Sequence, residues 1–361
     1  MEKYPPVMNL LRCLAREIKR PVELHVISTH PANGKALFRE DGITIHRVAA
    51  WNGTMNKAQR MMLYFRFNVR TLLLLYKKRP SKLLYYETLS AGGPGLYKNW
   101  FAKQVELYIH YHEYTSPGEY QHGMILNRWL HSLEKKIYKK AVWISHTNEY
   151  RVDLFKKDIG VHVPAEVHSL PNYPPQSWKH VRTQKHTANK ETRFVYVGAL
   201  STETMYVKEF ASFIEENPSC RWDIYSDNFS DDVLQFVGKR EAYGISFKGA
   251  IAYDSLPVIL PQYDVGVILY KGHIPNYVYN APNKLFEYLA CGIDVWFPKE
   301  MIGSIPYVRS GVRPEVCAVN FEDLPQPPFE ASNQNKIYVE TDFFAETSLR
   351  PLIEKLLCNA G

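Results

Sequence analysis

The stretch Asn280-Ala-Pro-Asn-Lys-Leu-Phe-Glu-Tyr-Leu-Ala-Cys-Gly292 predicts one helix with both of its ends marked. We expect Asn280 to cap the helix, because Asn is favoured at that position, and Pro282 to lie in the first turn, where its missing N–H does no harm. Gly292 supplies the left-handed residue that commonly follows a helix. A strand-like run, Asp294–Phe297, comes next, so the segment predicts a helix followed by a buried strand.

The polar residues of this helix fall on one face. Glu287 lies three residues after Lys284 and four after Asn283, whereas Leu285 and Leu289 point elsewhere. A helix N-terminus at the carboxyl edge of a parallel sheet offers unpaired N–H groups and a positive potential, which suit a diphosphate. A carboxylate on the same face can accept both hydroxyls of a ribose. The alternative is a Lys–Glu pair on the surface of an ordinary helix.

Strand-like and helix-like segments alternate through the whole second half, which predicts a doubly wound α/β domain over residues 193–340. The predicted strands are Phe194–Val197, Arg221–Tyr225, Ile245–Lys248, Val265–Ile268 and Asp294–Phe297. The predicted helices are Tyr206–Glu216, Asp231–Tyr243, Asp254–Leu260 and Pro282–Ala290.

The first half has a similar rhythm and predicts a Rossmann-like domain over residues 1–172. Its predicted strands are Val22–Ser28, Ile43–Val48, Leu83–Tyr86, Glu106–Tyr111 and Ala141–Ile144. Its predicted helices are Val7–Lys19, Ala58–Lys78, Leu126–Lys140 and Asn148–Ile159.

Three further segments complete the predicted organisation. The Pro-rich stretch Pro171-Asn-Tyr-Pro-Pro175 opens a predicted linker over 173–192. Residues 341–361 form a predicted C-terminal helix that packs back on the first domain. Because only Met1-Glu2-Lys3 precedes Tyr4-Pro5-Pro6, the first strand of the first domain is either absent or encoded upstream.

Four segments of the second half together resemble the GT-B glycosyltransferases, most closely the retaining class called glycosyltransferase family 4. They are Phe194-Val-Tyr-Val-Gly-Ala-Leu200, Phe247-Lys-Gly-Ala-Ile251, Tyr263-Asp-Val-Gly-Val-Ile-Leu269 and Pro282-Asn-Lys-Leu-Phe-Glu-Tyr-Leu-Ala-Cys-Gly292. The resemblance implies an α/β protein of two Rossmann-like, doubly wound domains facing a central cleft. It also implies a nucleoside-diphosphate sugar donor, bound mainly by the second domain.

The resemblance assigns roles to particular residues of that domain. Glu287 would hold the ribose, Asn283 and Lys284 would lie near the diphosphate, and Gly249 to Ile251 would border the base. Two departures concern the donor: Tyr279 stands where the family often has a Glu, and no cation follows the Gly198 turn until Lys208. The predicted donor-binding residues are Gly198, Lys208, Gly249, Ile251, Tyr279, Asn280, Asn283, Lys284 and Glu287.

The first half carries a candidate catalytic pair in Tyr108-Ile-His-Tyr-His-Glu-Tyr-Thr-Ser-Pro-Gly118. His112 and Glu113 follow a predicted strand, and ligands bind at the carboxyl ends of parallel strands. The resemblance places such a histidine, followed by an acidic residue, near the transferred sugar. The Gly-rich segment after the preceding strand either shapes the acceptor pocket or is a flexible turn; its candidate acceptor-side residues are Glu87, Gly92 and Gly93.

The implied reaction is transfer of a hexosyl group, with retention, to a hydroxyl of a glycan or lipid-linked glycan, as in cell-surface polysaccharide biosynthesis. A sugar-nucleotide epimerase of the same fold and a non-catalytic partner subunit that binds nucleotide sugar are the alternatives. No Asp-x-Asp motif occurs, and the family commonly works without a divalent ion. We therefore predict a metal-independent enzyme with no cofactor besides the donor.

Composition narrows the partners and the location. The 361 residues are 45% hydrophobic and 22% charged, and the five cysteines form no zinc-like or disulfide-like pattern. We find neither a 20-residue apolar stretch nor a signal peptide, which predicts a cytoplasmic protein. The net charge of +7 fits an anionic partner, but no recognisable zinc-finger, RRM-type or helix-turn-helix pattern indicates nucleic acid.

The predicted helix Ala58–Lys78 ends in Lys77-Lys78-Arg79 and is apolar with basic interruptions. In similar enzymes the acceptor domain rests on the inner leaflet, and this composition suits peripheral contact with the cytoplasmic face of a membrane. The alternative is a helix whose apolar side faces the core.

Overall fold

The computed structural model describes residues 4–18, 22–30, 38–50, 55–160, 166–180, 191–229, 231–325 and 336–358. The chain divides into two compact units. Unit 1 comprises Met1–Asn172 together with Ala345–Gly361, and unit 2 comprises Tyr173–Phe344. The chain therefore leaves unit 1 once and returns to it for the C-terminal helix.

The first part of unit 1 alternates helices with strands. They are α1 (Pro5–Glu17), β1 (Leu24–His30), β2 (Ile43–Ala50), α2 (Lys57–Lys78), β3 (Lys82–Tyr86), α3 (Gly92–Leu96), β4 (Glu106–Tyr111), α4 (Pro117–His122), α5 (Ile125–Ile137), β5 (Trp143–His146), α6 (Glu149–Ile159) and β6 (His168–Ser169).

The strands of unit 1 are parallel in both of its described sheets. One sheet has the order β3-β4-β5-β6, and β1 pairs with β2 in a second, two-stranded sheet. Leu107 and Tyr108 of β4 point to opposite faces and are 0% and 1% exposed, as expected for a central parallel strand covered on both faces. Because β4 lies between β3 and β5, its carboxyl end is flanked by the ends of two other strands.

Unit 2 contains the remaining elements before the C-terminal helix. They are β7 (Thr192–Val197), α7 (Val207–Glu216), β8 (Cys220–Tyr225), α8 (Asp231–Gly238), β9 (Ile245–Gly249), α9 (Leu256–Ile259), β10 (Val265–Val267), α10 (Pro275–Val278), α11 (Asn283–Ala290), β11 (Asp294–Pro298), β12 (Val312–Arg313), β13 (Val316–Val319) and β14 (Ile337–Tyr338). The helix α12 (Ala345–Leu357) then returns to unit 1.

The main sheet of unit 2 is doubly wound. Its six parallel strands have the order β13-β11-β10-β7-β8-β9, so the chain runs outward from β7 to β9 and then restarts on the other side at β10. The direction reverses between β7 and β10. In open α/β sheets ligands bind outside the carboxyl ends of the strands at this reversal. The prediction of a doubly wound α/β fold is confirmed for this unit.

The helix around which the prediction was built starts later than expected. Helix α11 begins at Asn283, and Pro282 is its extended N-cap residue, so the prediction that Asn280 caps it is wrong. The residue before a proline avoids helical backbone angles, and therefore Ala281 separates α10 from α11. The carbonyl of Asn280 instead accepts a hydrogen bond from Ser304 Oγ at 2.8 Å. Gly292 has a φ of +74°, as predicted for the residue after the helix.

Two segments that the composition assigned to loops are ordered by packing. The Gly-rich segment forms a 3₁₀ turn over Thr88–Ser90 and then α3, so it is helical rather than a flexible turn. In the predicted linker 173–192, Tyr173 and Trp178 pack on the core of unit 2. The middle of that linker, 181–190, lies outside the described residues.

Candidate functional site

A buried lysine lies at the strand reversal of unit 2. Lys284, in the first turn of α11, is 8% exposed. Its Nζ donates a hydrogen bond to the hydroxyl of Tyr196 at 3.1 Å and lies 4.2 Å from the centre of that ring. The ring centre of Tyr270 is 5.0 Å away. Tyr196 belongs to β7 and Tyr270 follows β10, so α11 delivers its ammonium to the carboxyl ends of the two strands that flank the reversal.

The groups around Lys284 leave its charge without a carboxylate partner. Burial by itself lowers the pKa of this ammonium, but Tyr196 and Tyr270 raise it, and the balance keeps the pKa above its ordinary value. Lys284 is therefore charged at neutral pH. Within the described residues no carboxylate is in ion-pair contact with it, and Glu287, one turn along α11, acts on it only over a longer distance. A buried charge costs free energy unless it is paired, so this position favours an anionic ligand.

Gly198 lies directly beside the ammonium of Lys284. The residue follows β7 with a φ of +132°, and its N–H donates to the carbonyl of Tyr225 at 2.9 Å. A Cβ atom here would lie 3.0 Å from Nζ of Lys284. A Cβ atom here would displace the end of the lysine by a few tenths of an ångström, and glycine also adopts this φ without strain. Gly198 and Lys284, which are distant in sequence, are brought together.

Glu287 places a buried carboxylate one turn along α11 from Lys284. Its side chain is 7% exposed, and burial and the charge of Lys284, not hydrogen bonds, determine its pKa. Burial raises the pKa of Glu287 to about 7, against the opposing effect of the Lys284 charge. An unpaired, buried carboxylate beside a buried ammonium can accept ligand hydroxyl groups while the ammonium holds an anion.

Tyr288 fixes α11 against the sheet, and sequence reasoning did not single it out. Its hydroxyl accepts a hydrogen bond from the N–H of Val197 at 3.2 Å. A Cβ atom on Gly266 would lie 2.2 Å from the Tyr288 ring, so glycine in β10 permits this contact. The roles of Tyr196, Tyr270 and Gly266 were missed as well. Tyr196 and Gly266 lie in two of the segments that resemble the GT-B enzymes, but nothing in those segments indicated that Tyr196 and Tyr270 surround Lys284. We call these two residues the tyrosine cage.

The other predicted donor residues are distributed around α11. Asn283 is its half-buried first residue, and Tyr279 and Asn280 lie between α10 and α11 with their backbone against Gly303. Gly249 ends β9 with a φ of +78°, and Ile251 packs on the core that α11 also contacts.

The predicted second cation, Lys208, is exposed on α7. Near that helix Lys271 is the lysine with specific partners: its Nζ lies 3.0 Å from Glu209 and 5.3 Å from the Tyr206 ring centre. The charge of Lys271 is already balanced by Glu209, so Lys271 is not a replacement for Lys208 as the second cation of the donor site.

In unit 1, His112 follows β4 within a cluster of aromatic rings. Its ring stacks on Tyr86 at 5.1 Å and on Tyr4 at 6.0 Å, and it meets His110 edge-on at 4.6 Å. Nδ1 lies 3.3 Å from Oδ1 of Asn172, whereas Nε2 has no hydrogen-bond partner among the described residues.

The surroundings of His112 determine its protonation. Burial lowers the pKa of the imidazole to about 4, with a smaller opposing effect from Asn172 and a lowering one from Arg151. The ring is therefore neutral at neutral pH. If Nδ1 carries the proton and donates to Asn172, Nε2 is left as an acceptor.

Glu87 holds the backbone that carries His112. Its Oε1 accepts a hydrogen bond from the His112 N–H at 2.6 Å and a longer one from the Glu113 N–H at 3.4 Å. Glu87 itself has a φ of +62° and a ψ of 149°, a region that is costly for a residue other than glycine, by about 1–3 kcal/mol. Burial raises the pKa of its carboxyl to about 8. Glu87 acts here as a positioning residue for His112.

Of the remaining predicted site residues of unit 1, Glu113 is exposed, whereas Gly92 and Gly93 are buried. Glu113 is exposed next to His112. Gly92 and Gly93 are buried against α2, where a Cβ atom would lie 2.7 Å from Asn68 and 2.8 Å from Thr71, respectively. These two glycines therefore serve close helix packing. Sequence reasoning missed Arg151, which donates to the His112 carbonyl at 2.6 Å.

In the part of the chain that the structure describes, no group of three or more His, Cys, Asp or Glu side chains is placed to hold a metal ion.

Comparison with known proteins gives matches at the level of structure. No family model matches the sequence, and no curated protein matches it. Among solved structures, the sucrose-phosphate synthase from Thermosynechococcus elongatus is 15% identical, with a TM-score of 0.64 over 88% of this chain and 80% of that one. OtsA in its apo form is 9% identical, with a TM-score of 0.64 over 98% and 88%.

A third similar structure is HepE from Anabaena in complex with UDP-glucose. It is 14% identical, with a TM-score of 0.55 over 78% of this chain and 74% of that chain. These similar structures are glycosyltransferases of the GT-B type. At such low identities the likeness concerns the fold, and it shows that this chain has the GT-B fold.

Proposed function

We propose that the chain is a glycosyltransferase that moves a sugar from a nucleoside-diphosphate sugar to a hydroxyl acceptor. The observation that carries this proposal is the buried ammonium of Lys284 at the strand reversal, without a carboxylate partner in the described residues and faced by Gly198. Glu287 adds a buried acceptor for hydroxyls on the same helix. An anion holder and a hydroxyl acceptor on one helix suit the diphosphate and ribose of a nucleotide.

The donor-side residues supply binding and leaving-group stabilisation. The Lys284 ammonium offsets the negative charge that develops on the diphosphate as the bond to the sugar breaks. The Glu287 carboxylate accepts hydrogen bonds from the ribose and orients the nucleotide. HepE is recorded in complex with UDP-glucose, so a uridine nucleotide is the first donor to test.

The acceptor-side residue is His112. A neutral imidazole with an unpartnered Nε2 can accept a hydrogen bond from a sugar hydroxyl without adding charge. Glu87 and Arg151 fix the backbone on both sides of it. We propose that the transferred group is a hexose, that the configuration is retained, and that Glu113 borders this position. We further propose that the acceptor is a glycan or lipid-linked glycan made for the cell surface, with no divalent ion required.

A binding and turnover series tests the donor site. We expect uridine, guanosine or adenosine diphosphate sugars to raise the thermal unfolding temperature of the wild type, by mass action on the folded state. Lys284→Gln and Glu287→Gln should raise at least tenfold the ligand concentration needed for the same shift, whereas Lys239→Gln, at an exposed position just after α8, should not. Equal shifts in all four proteins would reject the site.

Product analysis separates the proposed activity from its alternatives. With acceptor present, a transferase forms a glycoside and releases nucleoside diphosphate, and His112→Ala should reduce that rate without changing nucleotide binding. Release of an altered sugar nucleotide without acceptor would indicate an epimerase instead. Binding without turnover against a broad acceptor panel would indicate a non-catalytic subunit.

We also propose that helix α2 docks on an anionic lipid surface. Its outward apolar side chains recur at helical spacing and include Met62, Phe65, Leu73 and Tyr76, each more than half exposed. Trp100, just beyond α3, is 72% exposed. The side of α2 that faces the unit is narrow and partly polar, since Asn68 and Thr71 are among its buried residues.

The charges on α2 support a lipid surface as the occupant. The helix contains no Asp or Glu, and its exposed basic residues include Arg66, Lys77 and Lys78, with Arg79 directly after its end. None of the described helices is long and apolar enough to cross a bilayer. An exposed apolar face with basic residues beside it is the pattern of a helix that lies in the membrane interface.

Sedimentation with lipid vesicles tests this surface. We expect binding to vesicles that contain phosphatidylglycerol, weaker binding at high salt, and little binding to pure phosphatidylcholine. The double variant Phe65→Ser, Leu73→Ser should lose binding, and Val258→Ser, an exposed position on unit 2, should retain it. Unchanged sedimentation of the double variant would refute the proposal.

A further inference from the structure

Unit 1 contains a pocket on the face of β4 opposite His112. Side chains alternate across a strand, and the rings of His110 and His112 contact Tyr86, whereas Tyr111 stacks on His146 at 4.9 Å. Tyr111 and His146 line a pocket of about 230 Å³ that extends between α4, α5 and α6. Of its lining residues the proposed reaction uses only Glu113, which is exposed at the rim, and it makes no use of the aromatic interior.

His146 lines the pocket with unsatisfied polar atoms. The side chain is 2% exposed, and neither Nδ1 nor Nε2 has a hydrogen-bond partner among the described residues. Burial lowers the pKa of His146 to about 3, so the ring is neutral and presents one donor and one acceptor. Leaving a buried polar atom unpaired is unfavourable, and a bound partner that supplies a hydrogen bond removes this cost.

The remaining lining indicates what kind of partner fits. Tyr138 and Phe155 are buried beside His146, and Tyr120 stacks on His131 at 3.8 Å. Rings of this kind pack against the C–H faces of a sugar, while phenol and imidazole groups bond its hydroxyls.

The size of the pocket also limits its occupant. At about 230 Å³ it is far larger than the roughly 30 Å³ share of one water. It is smaller than the roughly 300–1,000 Å³ typical of pockets for whole ligands, so it suits a single ring.

The charges at the pocket balance. Two exposed cations, Arg128 and Lys135, and two exposed carboxylates, Glu113 and Asp158, are among its lining residues. Tyr114 donates a hydrogen bond to Asp158, which ties one carboxylate to the wall. A lining with equal numbers of both signs gives a phosphate or a nucleotide no net attraction. The pocket therefore favours a neutral ligand.

From these observations we infer that the pocket behind β4 binds one neutral, hydroxyl-bearing six-membered ring, and that His146 is its hydrogen-bonding residue. Its use as a subsite for a ring of the glycan acceptor, away from the reacting hydroxyl, rests on the proposed transferase function. The binding of the ring itself does not depend on that function.

Saturation-transfer NMR on the full chain tests the inference without requiring turnover. The probes are methyl glycosides of glucose, galactose, mannose and N-acetylglucosamine, with myo-inositol as a cyclic polyol that is not a sugar. At least one should show saturation transfer that a saturating uridine diphosphate does not displace, because the donor site lies in unit 2. Glucuronate and inorganic phosphate should bind no better than the neutral probes.

Two variants localise the signal. Ser132→Trp places a large ring at the pocket and should weaken binding at least tenfold, and His146→Phe should do the same by removing both ring nitrogens. Lys136→Trp is the matched control, because Lys136 is exposed on the same helix but does not line the pocket. Thermal unfolding and circular dichroism verify that each variant is folded.

The outcomes separate this inference from the proposed function. Absence of binding by every neutral probe, preferential binding of the anions, or equal binding by Ser132→Trp and wild type would overturn the inference even if sugar transfer is observed. Ring binding that Ser132→Trp abolishes supports it, even in a protein that transfers no sugar from any donor.

Discussion

At the scale of single residues, both candidate clusters depend on unusual backbone angles at the end of a strand. Gly198 after β7 and Glu87 after β3 each have a positive φ. Gly198 leaves room for an ammonium, and Glu87 turns its carboxylate toward the His112 N–H. Glycine adopts such angles freely, but glutamate adopts them only at a cost, which points to a constraint on Glu87 from its surroundings.

Gly198→Ala should disrupt the donor site. The new Cβ would lie 3.0 Å from Nζ of Lys284 and would displace the ammonium by a few tenths of an ångström, and a φ of +132° is strained for alanine. We expect nucleotide affinity to fall about tenfold or more, equivalent to about 1.4 kcal/mol, in calorimetric titrations. Gly311→Ala is the control, since Gly311 has a φ of +73° but no atom within 4 Å of its Cβ. If both variants lost the same nucleotide affinity, we would conclude that backbone strain, and not the contact with Lys284, causes the loss.

Glu87→Gln should change how stability depends on pH. The carboxyl has a pKa of about 8 in the folded protein, against an ordinary value of 4.5. Between these values the folded state binds more protons than the unfolded state, so the free energy of unfolding falls as pH rises. We expect the free energy of unfolding of wild type to fall relative to that of Glu87→Gln between about pH 5 and 8.

Denaturant unfolding measures that difference, and Glu149→Gln on the surface of α6 serves as the control. Parallel curves for wild type and Glu87→Gln would contradict the assignment of a raised pKa. The lowered pKa values of His112 and His146 act alike in wild type and Glu87→Gln, so their contribution cancels in the difference between the two curves.

The site residues that the sequence singled out have a charge or a ring at a marked position. Lys284 and Glu287 were singled out by their spacing on a helix, and His112 by its place after a strand together with the family resemblance. Their roles stay predictions. The tyrosine cage was not predictable, because Tyr196 and Tyr270 meet Lys284 only through the sheet order. Such contacts between distant segments leave no local signal.

At the scale of elements, apolar periodicity was enough to locate most helices and strands. It failed where glycine and proline dominate the composition. The composition of Glu87-Thr-Leu-Ser-Ala-Gly-Gly-Pro-Gly95 is typical of a turn, yet the segment contains helix α3. Asn68 of α2 holds it in place: its side chain accepts a hydrogen bond from the Gly93 N–H at 3.0 Å and donates one to the Leu89 carbonyl at 2.9 Å. Contacts with another helix outweigh the weak helix propensity of the segment.

Gly93→Ala should destabilise unit 1. A Cβ there would lie 2.9 Å from the backbone oxygen of Asn68, which cannot rotate away as a side chain can. We expect a loss of about 1–3 kcal/mol in the free energy of unfolding, as for other overpacked positions. Gly118→Ala, in exposed α4 with nothing near its Cβ, should be neutral or slightly stabilising. Denaturant titration decides between these results, and an unaffected Gly93→Ala would argue against close packing of α3 on α2.

At the scale of the whole molecule, the alternation of strands and helices predicted the α/β class, although no family model matches the sequence and the similar solved structures share 15% identity or less with it. The strand order was not evident from the rhythm alone. Nor did periodicity show that Tyr173 and Trp178 pack on unit 2, because Pro-rich segments read as linkers. For α2 the sequence left open whether the apolar side chains face the core or the outside, because periodicity predicts an apolar stripe but not what covers it.

Leu352→Ala should weaken unit 1 although the residue lies far along the chain. Leu352 is fully buried in a cluster with Leu10 and Leu14 of α1. Large-to-small changes in such a core cost about 2–5 kcal/mol. Hydrogen exchange should accelerate in β3 and β4 and stay unchanged in β7 and β10; Arg350→Ala, exposed on α12, is the control. Faster exchange confined to unit 2 would contradict the division of the chain.

The return of α12 to unit 1 also has a consequence for biosynthesis. Unit 2 is one uninterrupted segment, whereas the core of unit 1 includes Leu349, Leu352 and Ile353, which the ribosome adds after all of unit 2. Domains commonly fold in the order in which they are synthesised. In this chain, part of the apolar core of unit 1 stays uncovered until α12 has been synthesised, so unit 2 can complete its fold first. Residues 1–172 are therefore the part of the nascent chain that chaperones would have to shield.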